Sequence, residues 1–75
     1  MDKERQQEIK DAFGARLKAL RKARDLSQEE VALSCDLDRS YVGRIERGKA
    51  NVSLVNIRRI AEALGVETGE LFSDA

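Results

Sequence analysis

The spacing of apolar residues is helical along this whole chain, and this pattern constrains the fold more than any other feature. Near the N-terminus apolar residues recur at i, i+4, i+8 and i+11, which predicts a helix over about residues 7–24. They are Ile9, Phe13, Leu17 and Leu20. A later helix, which we expect Ser53 to cap and Gly65 to end, has the stripe Leu54, Ile57, Ile60, Ala61 and Leu64. With a last short helix over 66–72 and no strand pattern, the sequence predicts an all-α, compact bundle of four to five short helices.

The middle of the chain predicts two short helices joined by a tight turn. Ser27 and Glu30 have the spacing of a capping box, which opens the first of these helices. Asp36 tolerates the left-handed conformation that a tight turn needs, and Asp38 is a suitable N-cap for the next helix. Helices joined by a turn of about three residues have helix-turn-helix geometry, here over about 27–47. A plain helical bundle without that role also has tight turns, so this pattern alone leaves both interpretations open.

The size and composition of the chain exclude several classes of protein. A chain of 75 residues makes one domain, over 1–75, and such a domain buries only about 60% of its unfolded surface, so a partner subunit would help it. Its apolar runs are too short to cross a bilayer, and its charged N-terminus lacks a secretory signal. The lone Cys35, expected to be a small buried residue, fits a reducing cytoplasm. With no His in the chain, neither a His/Cys metal cluster nor a catalytic triad can form, so we expect no enzyme.

The charges cancel in sum but alternate in sign along the chain. There are 14 basic and 14 acidic residues, and a zero net charge argues at first against a nucleic-acid partner. However, 16–24 and 39–59 are basic, whereas 25–38 and 60–75 are acidic. One basic segment begins on the third predicted helix, the one that a helix-turn-helix inserts into the major groove. The other basic segment either contacts flanking phosphates or forms a solvated helix face.

Several stretches of the sequence resemble the phage-repressor-like (XRE) helix-turn-helix family. They are 26–32 (LSQEEVA), 37–42 (LDRSYV), 45–49 (IERGK), 53–54 (SL) and 60–66 (IAEALGV), and the resemblance covers about residues 13–72. Within the family, 37–42 together with 46–54 (ERGKANVSL) is most similar to restriction–modification controller proteins. The chain departs from the family in having Asp36 where Gly is usual and Val52 where the wider family often has Pro.

This resemblance implies a lambda-repressor-like DNA-binding domain and a regulator of transcription. Such a protein binds palindromic operators in double-stranded DNA as a homodimer, with two dimers on adjacent sites as one arrangement. From the composition and length given above, we also expect a cytoplasmic protein that needs no cofactor, metal, membrane or small-molecule ligand. A general XRE-type repressor, or an antitoxin or other helical adaptor that binds protein, remains the alternative.

The candidate DNA-binding residues lie on the predicted motif and just after it. They are Gln28, Arg39, Ser40, Tyr41, Arg44, Arg47 and Asn51. Gln28 begins a helix and suits a phosphate, whereas Arg39 and Ser40 begin the third helix, where side chains meet base edges. Arg44 lies one turn further along the same face, and Tyr41 suits either the core or a phosphate. By resemblance, Arg47 and Asn51 bind the DNA backbone.

The candidate dimer interface is apolar and lies near the last two predicted helices. Its residues are Val52, Leu54, Leu71 and Phe72. The same residues would equally close the core of a single subunit, and the sequence does not distinguish the two roles. Glu46 is expected to pair with a nearby Arg or cap backbone, not to act as a catalytic acid.

Overall fold

The computed structural model describes residues 1–73 and shows only helices among them. Their bounds are α1 Lys3–Ala23, α2 Gln28–Ser34, α3 Arg39–Glu46, α4 Leu54–Leu64 and a closing 3₁₀ helix, Thr68–Phe72. This confirms the predicted all-α bundle. None of these helices is long and apolar enough to cross a membrane.

Side-chain caps mark the start of α1, α2 and α4, whereas Asp38 precedes α3 without the side-chain hydrogen bond expected of an N-cap. Ser27 Oγ accepts from the Glu30 amide over 3.0 Å, and the Glu30 carboxylate accepts from the Ser27 amide over 2.8 Å, so the predicted capping box is present. The start of α1 was predicted too late, at about residue 7. Asp2 caps this helix by accepting from the Arg5 amide over 2.8 Å, and the first turns carry no apolar stripe that would reveal them.

Every major helix contributes to one apolar core. Its six largest fully buried side chains are Leu17, Val31, Val42, Ile45, Ile60 and Leu71. Cys35 is buried, as predicted; burial raises the pKa of its thiol, which donates to the Val31 carbonyl over 3.1 Å. Two residues of the predicted stripes lie outside the core: Ile9, on the second turn of α1, is 42% exposed, and Leu54, the first residue of α4, is 80% exposed.

Candidate nucleic-acid interface

The turn between α2 and α3 is closed by its own backbone. Asp36 has φ = +57°, and its amide and that of Leu37 donate to the carbonyls of Leu33 and Ala32 over 3.4 and 2.9 Å. These two bonds form a Schellman motif with aspartate in the position that glycine usually takes. Asp36 therefore serves the turn as predicted, and it sets the direction in which α3 leaves α2.

Burial of one side of α3 leaves the other side as a basic surface. Val42 and Ile45 are in the core, where α3 packs on α1 and α2. Arg39, Ser40, Arg44 and Arg47, all predicted to contact DNA, are exposed. Residues 40, 44 and 47 follow i, i+4, i+7 spacing, so they share one face of the helix. The exposed basic face of this short helix is the central feature of the site.

Tyr41 is half-buried and links this face to α4. The guanidinium carbon of Arg44 lies 5.4 Å from the centroid of the Tyr41 ring, within cation–π range. Asn56 Nδ2 on α4 approaches the Tyr41 hydroxyl to 3.5 Å. These three side chains, with Ser40 and the 36–38 turn, line an open pocket of about 490 Å³. Asn56 was absent from the sequence-based prediction, since nothing in its local sequence places it beside α3.

Gln28 is held by a buried ion pair. The Glu46 carboxylate accepts from Arg21 Nε over 2.6 Å and from Arg21 Nη2 over 3.0 Å, and it also accepts from Gln28 Nε2 over 3.0 Å. The side chains of Arg21 and Glu46 are only 10% and 3% exposed. Glu46 thus has the structural role that the sequence predicted. By contrast, Arg21 belongs to the basic segment 16–24 but is removed from any solvated or phosphate-facing surface by its partner.

The electrostatics of this pair determine which way the Gln28 amide points. Burial raises the pKa of the Glu46 carboxyl, but the hydrogen bonds from Arg21 and Gln28 and the charge of Arg21 outweigh it and hold this pKa below its usual value. The Arg21 pKa is raised, chiefly by its hydrogen bond to Glu46. An ionised carboxylate only accepts hydrogen bonds, so Gln28 must turn its nitrogen toward Glu46. One N–H of that amide is therefore committed within the protein.

Gly43 makes room for two of the predicted DNA-binding side chains. A Cβ at this position would lie 3.2 Å from Arg47 Nη1 and 3.5 Å from Gln28 Oε1. The structure therefore brings Gln28 and Arg47 together over Gly43, although one is on α2 and the other follows α3. The sequence carried a signal for Gly43 that was missed: glycine inside a helix is destabilising and often marks a close approach.

Asn51 lies apart from the Tyr41 pocket, in the connector between α3 and α4. It is exposed and lines small surface pockets together with Ile9 and Lys10 of α1. The predicted site therefore divides into two groups along the surface. Most of the candidate residues lie on α3 or next to it, with Gln28 on α2. Asn51 lies separately, beside the first half of α1.

The apolar residues predicted to form a dimer interface also divide. Leu71 is fully buried in the core, so it has no surface to offer a partner, and its predicted interface role is wrong for the folded subunit. Leu54 and Phe72 are 80% and 56% exposed. Val52 is half-buried and lines an apolar groove with Ile9 and Phe72, whose ring lies 5.3 Å from that of Phe13. Val55, which is 61% exposed beside Leu54, was missed because its position falls off the predicted α4 stripe.

An exposed basic helix that a second helix supports across a tight turn defines a helix-turn-helix nucleic-acid-binding domain. The sequence model of the family described as Helix-turn-helix matches residues 17–71. The chain is 56% identical over 68 residues to control protein C.MunI from Mycoplasma sp, an alignment that covers 89% of this chain and 92% of that protein.

Solved structures of controller proteins have the same fold. One is the restriction-modification controller protein C.AhdI from Aeromonas hydrophila, with a TM-score of 0.83, 57% identity and coverage of 84% of this chain and 96% of that one. Another is the controller protein C.Esp1396I, solved as a tetramer in complex with its natural 35 base-pair operator. It has a TM-score of 0.79, 26% identity and coverage of 85% and 84% of the two chains. The chain belongs to the helix-turn-helix family and, within it, to the restriction–modification control proteins, as its sequence resemblance indicated.

Proposed function

We propose that this protein is a cytoplasmic, sequence-specific DNA-binding regulator of transcription, the controller of a restriction–modification system. It acts by binding and not by catalysis, as a single domain whose motif spans about residues 27–47. The exposed basic face of α3 is the observation that supports this role most directly, together with the membership in the control proteins. This face answers the objection raised by a net charge of zero, because exposed arginines lie together on α3 although the charges of the whole chain cancel.

Each candidate residue on α3 and at its end has a role in this proposal. Arg39, at the first turn of α3, reads guanine through its forked donors, and Ser40 bonds a base or a phosphate. Arg44 reaches a base edge or a nearby phosphate from its stacked position on Tyr41. Arg47 contacts the DNA backbone, while Tyr41 contributes its hydroxyl to a phosphate at the edge of the pocket.

Gln28 and Asn51 complete the contacts to the DNA backbone. Gln28 keeps one amide N–H free of Glu46, and it begins α2, where backbone N–H groups also favour a phosphate. Asn51 contacts the backbone from the connector. These contacts fix the position of the protein on DNA without reading sequence.

The regulator functions as a homodimer, because one helix-turn-helix covers only half of an operator. Two half-sites about 34 Å apart, one turn of the double helix, require two recognition helices related by a two-fold axis. Val52, Leu54 and Phe72, together with Val55 and Ile9, supply the apolar surface for the second subunit. Two dimers bound side by side would extend the same arrangement. The structure of C.Esp1396I, a tetramer in complex with its operator, provides a precedent.

Selection of DNA from a random pool tests this proposal. The purified protein is expected to enrich a palindromic duplex and to retard it in a gel, with affinity that falls steeply as salt is raised because phosphate contacts release counterions. An R39A variant should bind that duplex more weakly and with relaxed preference at one base pair of each half-site. Failure to enrich any duplex at low salt, with a stable complex formed with another protein instead, would favour the adaptor alternative.

A further inference from the structure

A second stripe of α1, separate from its apolar stripe, lies along the C-terminal end of α3. Its members are Gln7, Asp11, Gly14 and Arg21, which share one helix face by their i, i+4, i+7 and i+14 spacing. Arg21 pairs with Glu46, and a Cβ at Gly14 would overlap the carbonyl oxygen of Ile45. The two remaining members, Gln7 and Asp11, meet the turn that follows α3, and both precede the segment that the family model matches.

In the turn after α3, the carbonyl of Gly48 accepts from a side chain of α1. The amides of Gly48 and Lys49 donate to the carbonyls of Ile45 and Arg44 over 3.0 and 2.9 Å, which closes α3 as a Schellman motif. The carbonyl of Gly48 lies outside this motif. It accepts instead from Gln7 Nε2 over 2.7 Å, across 41 positions of sequence.

Asp11 orients the amide that makes this bond. Gln7 Nε2 also donates to Asp11 Oδ1 over 2.9 Å, so its two hydrogens serve a carboxylate and a carbonyl, both of which only accept. The amide nitrogen must therefore face Gly48. Gly48 itself is buried with φ = +74°, which favours glycine, and a Cβ there would occupy the position of the Asp11 carboxylate, so glycine leaves room for this side chain against the turn.

We propose that Gln7 and Asp11 form a clamp that positions the turn after α3 for contact with the DNA backbone. Arg47 and Lys49, on either side of the clamped Gly48, are both exposed cations, and Asn51 follows in the same connector. Fixing the Gly48 carbonyl fixes the backbone from which these side chains extend, so less conformational entropy is lost when they meet phosphates. Gln7 and Asp11 are thus positioning residues that act on DNA through the turn. This inference rests on the proposed DNA-binding function.

Two neighbouring glutamines provide a matched pair of variants. Gln7→Glu replaces the donating nitrogen with an oxygen that repels both the Gly48 carbonyl and Asp11. Gln6→Glu adds the same charge one residue away, where the side chain is exposed and donates only to the Met1 carbonyl over 3.0 Å. Both variants add one negative charge to the same end of α1, so their comparison controls for the general repulsion of DNA. Gln7→Ala and Gln6→Ala form a second, uncharged pair.

Two measurements on the full chain decide the proposal. Amide hydrogen exchange of Lys49 reports opening of the turn without DNA, and titration over a range of salt with the duplex selected by the parent protein reports binding. In Gln7→Glu the Lys49 amide hydrogen should exchange about three- to tenfold faster than in Gln6→Glu. The affinity for the selected duplex should be about three- to tenfold lower, which is the range expected for one lost hydrogen bond. Its slope of log affinity against log salt should be shallower by about one phosphate contact, which a purely structural role would leave unchanged.

Equal Lys49 exchange in the two variants would overturn the clamp. Faster exchange with equal affinity and an equal salt slope would show a clamped turn that DNA does not use, which overturns the positioning role. If the parent protein selects no duplex, the proposed function fails and the positioning role fails with it. The exchange result then still tells whether the clamp exists.

Discussion

Replacing Glu46 with glutamine removes the negative charge that neutralises the buried guanidinium of Arg21. The two side chains are 3% and 10% exposed, so water cannot replace the lost interaction. Removing one partner of a buried ion pair costs about 3–5 kcal/mol. Glutamine still offers one acceptor oxygen, and Arg21 keeps its 2.8 Å bond to the Leu26 carbonyl. We therefore expect the lower end of this range, about 3 kcal/mol, out of the ~5–15 kcal/mol of a typical domain.

The exposed pair Arg58–Glu62 supplies the control. It is also an ion pair, at 3.3 Å, but both of its side chains are 67% exposed. Glu62→Gln should cost less than about 0.5 kcal/mol because solvent screens the pair. Urea unfolding followed by circular dichroism, at one fixed protein concentration because dimerisation adds to stability, measures both variants. A domain of this size loses about 4–8 °C in Tm per kcal/mol, so Glu46→Gln should lose about 12–24 °C.

Acid pH provides an independent check of the same reasoning. The pKa of Glu46 in the folded protein lies below its usual value of 4.5, so this group stabilises the fold fully above that value. Its contribution is lost as pH falls through the folded pKa. The stability difference between the parent and Glu46→Gln should therefore be constant near neutrality and shrink below about pH 4.5. A Glu46→Gln cost no larger than that of Glu62→Gln, or a difference unchanged in acid, would refute the reasoning.

Three further outcomes are expected at other parts of the site. Arg39→Ala should cost about 1–3 kcal/mol of binding to the selected duplex and relax the preference at one base, as measured with a set of single-base variants of that duplex. Gly43→Ala should raise the free energy of unfolding by up to about 1 kcal/mol, because alanine favours helix. The same change should weaken DNA binding, because the added Cβ presses on Arg47. Tighter binding would contradict this account. Leu54→Ser should shift the monomer–dimer equilibrium toward monomer in analytical ultracentrifugation with little change in helix content, since Leu54 is 80% exposed in the subunit.

Much of the fold was predictable because its elements are encoded by short-range interactions. The capping box at Ser27, the left-handed turn residue Asp36 and the helix-ending residue Gly65 all act within a few positions of sequence. Each was placed correctly from residue type and spacing alone. The start of α1 was missed because its cap, Asp2, precedes turns that have no buried face.

The candidate site was predictable only where it lies on one helix. Spacing along α3 was enough to group its exposed basic residues, but their roles toward DNA remain predictions. The association of Gln28 with Arg47 over Gly43, and of Asn56 with Tyr41, depends on how α2, α3 and α4 pack. A glycine inside α3 indicates a close approach at Gly43, but no local pattern identifies the partners in either contact.

The sequence by itself determined the helices, the tight turn and the family, because periodicity, caps and motif residues are local properties of the chain. Only the tertiary structure decided which charged and apolar residues remain at the surface. Arg21 is buried because Glu46 lies 25 positions away in sequence but within hydrogen-bond distance in space, and Leu71 is buried because the 3₁₀ helix packs on α1 and α4. Burial and charge pairing depend on neighbours brought together by packing. For this reason a chain with zero net charge presents a basic face on α3 only after it has folded.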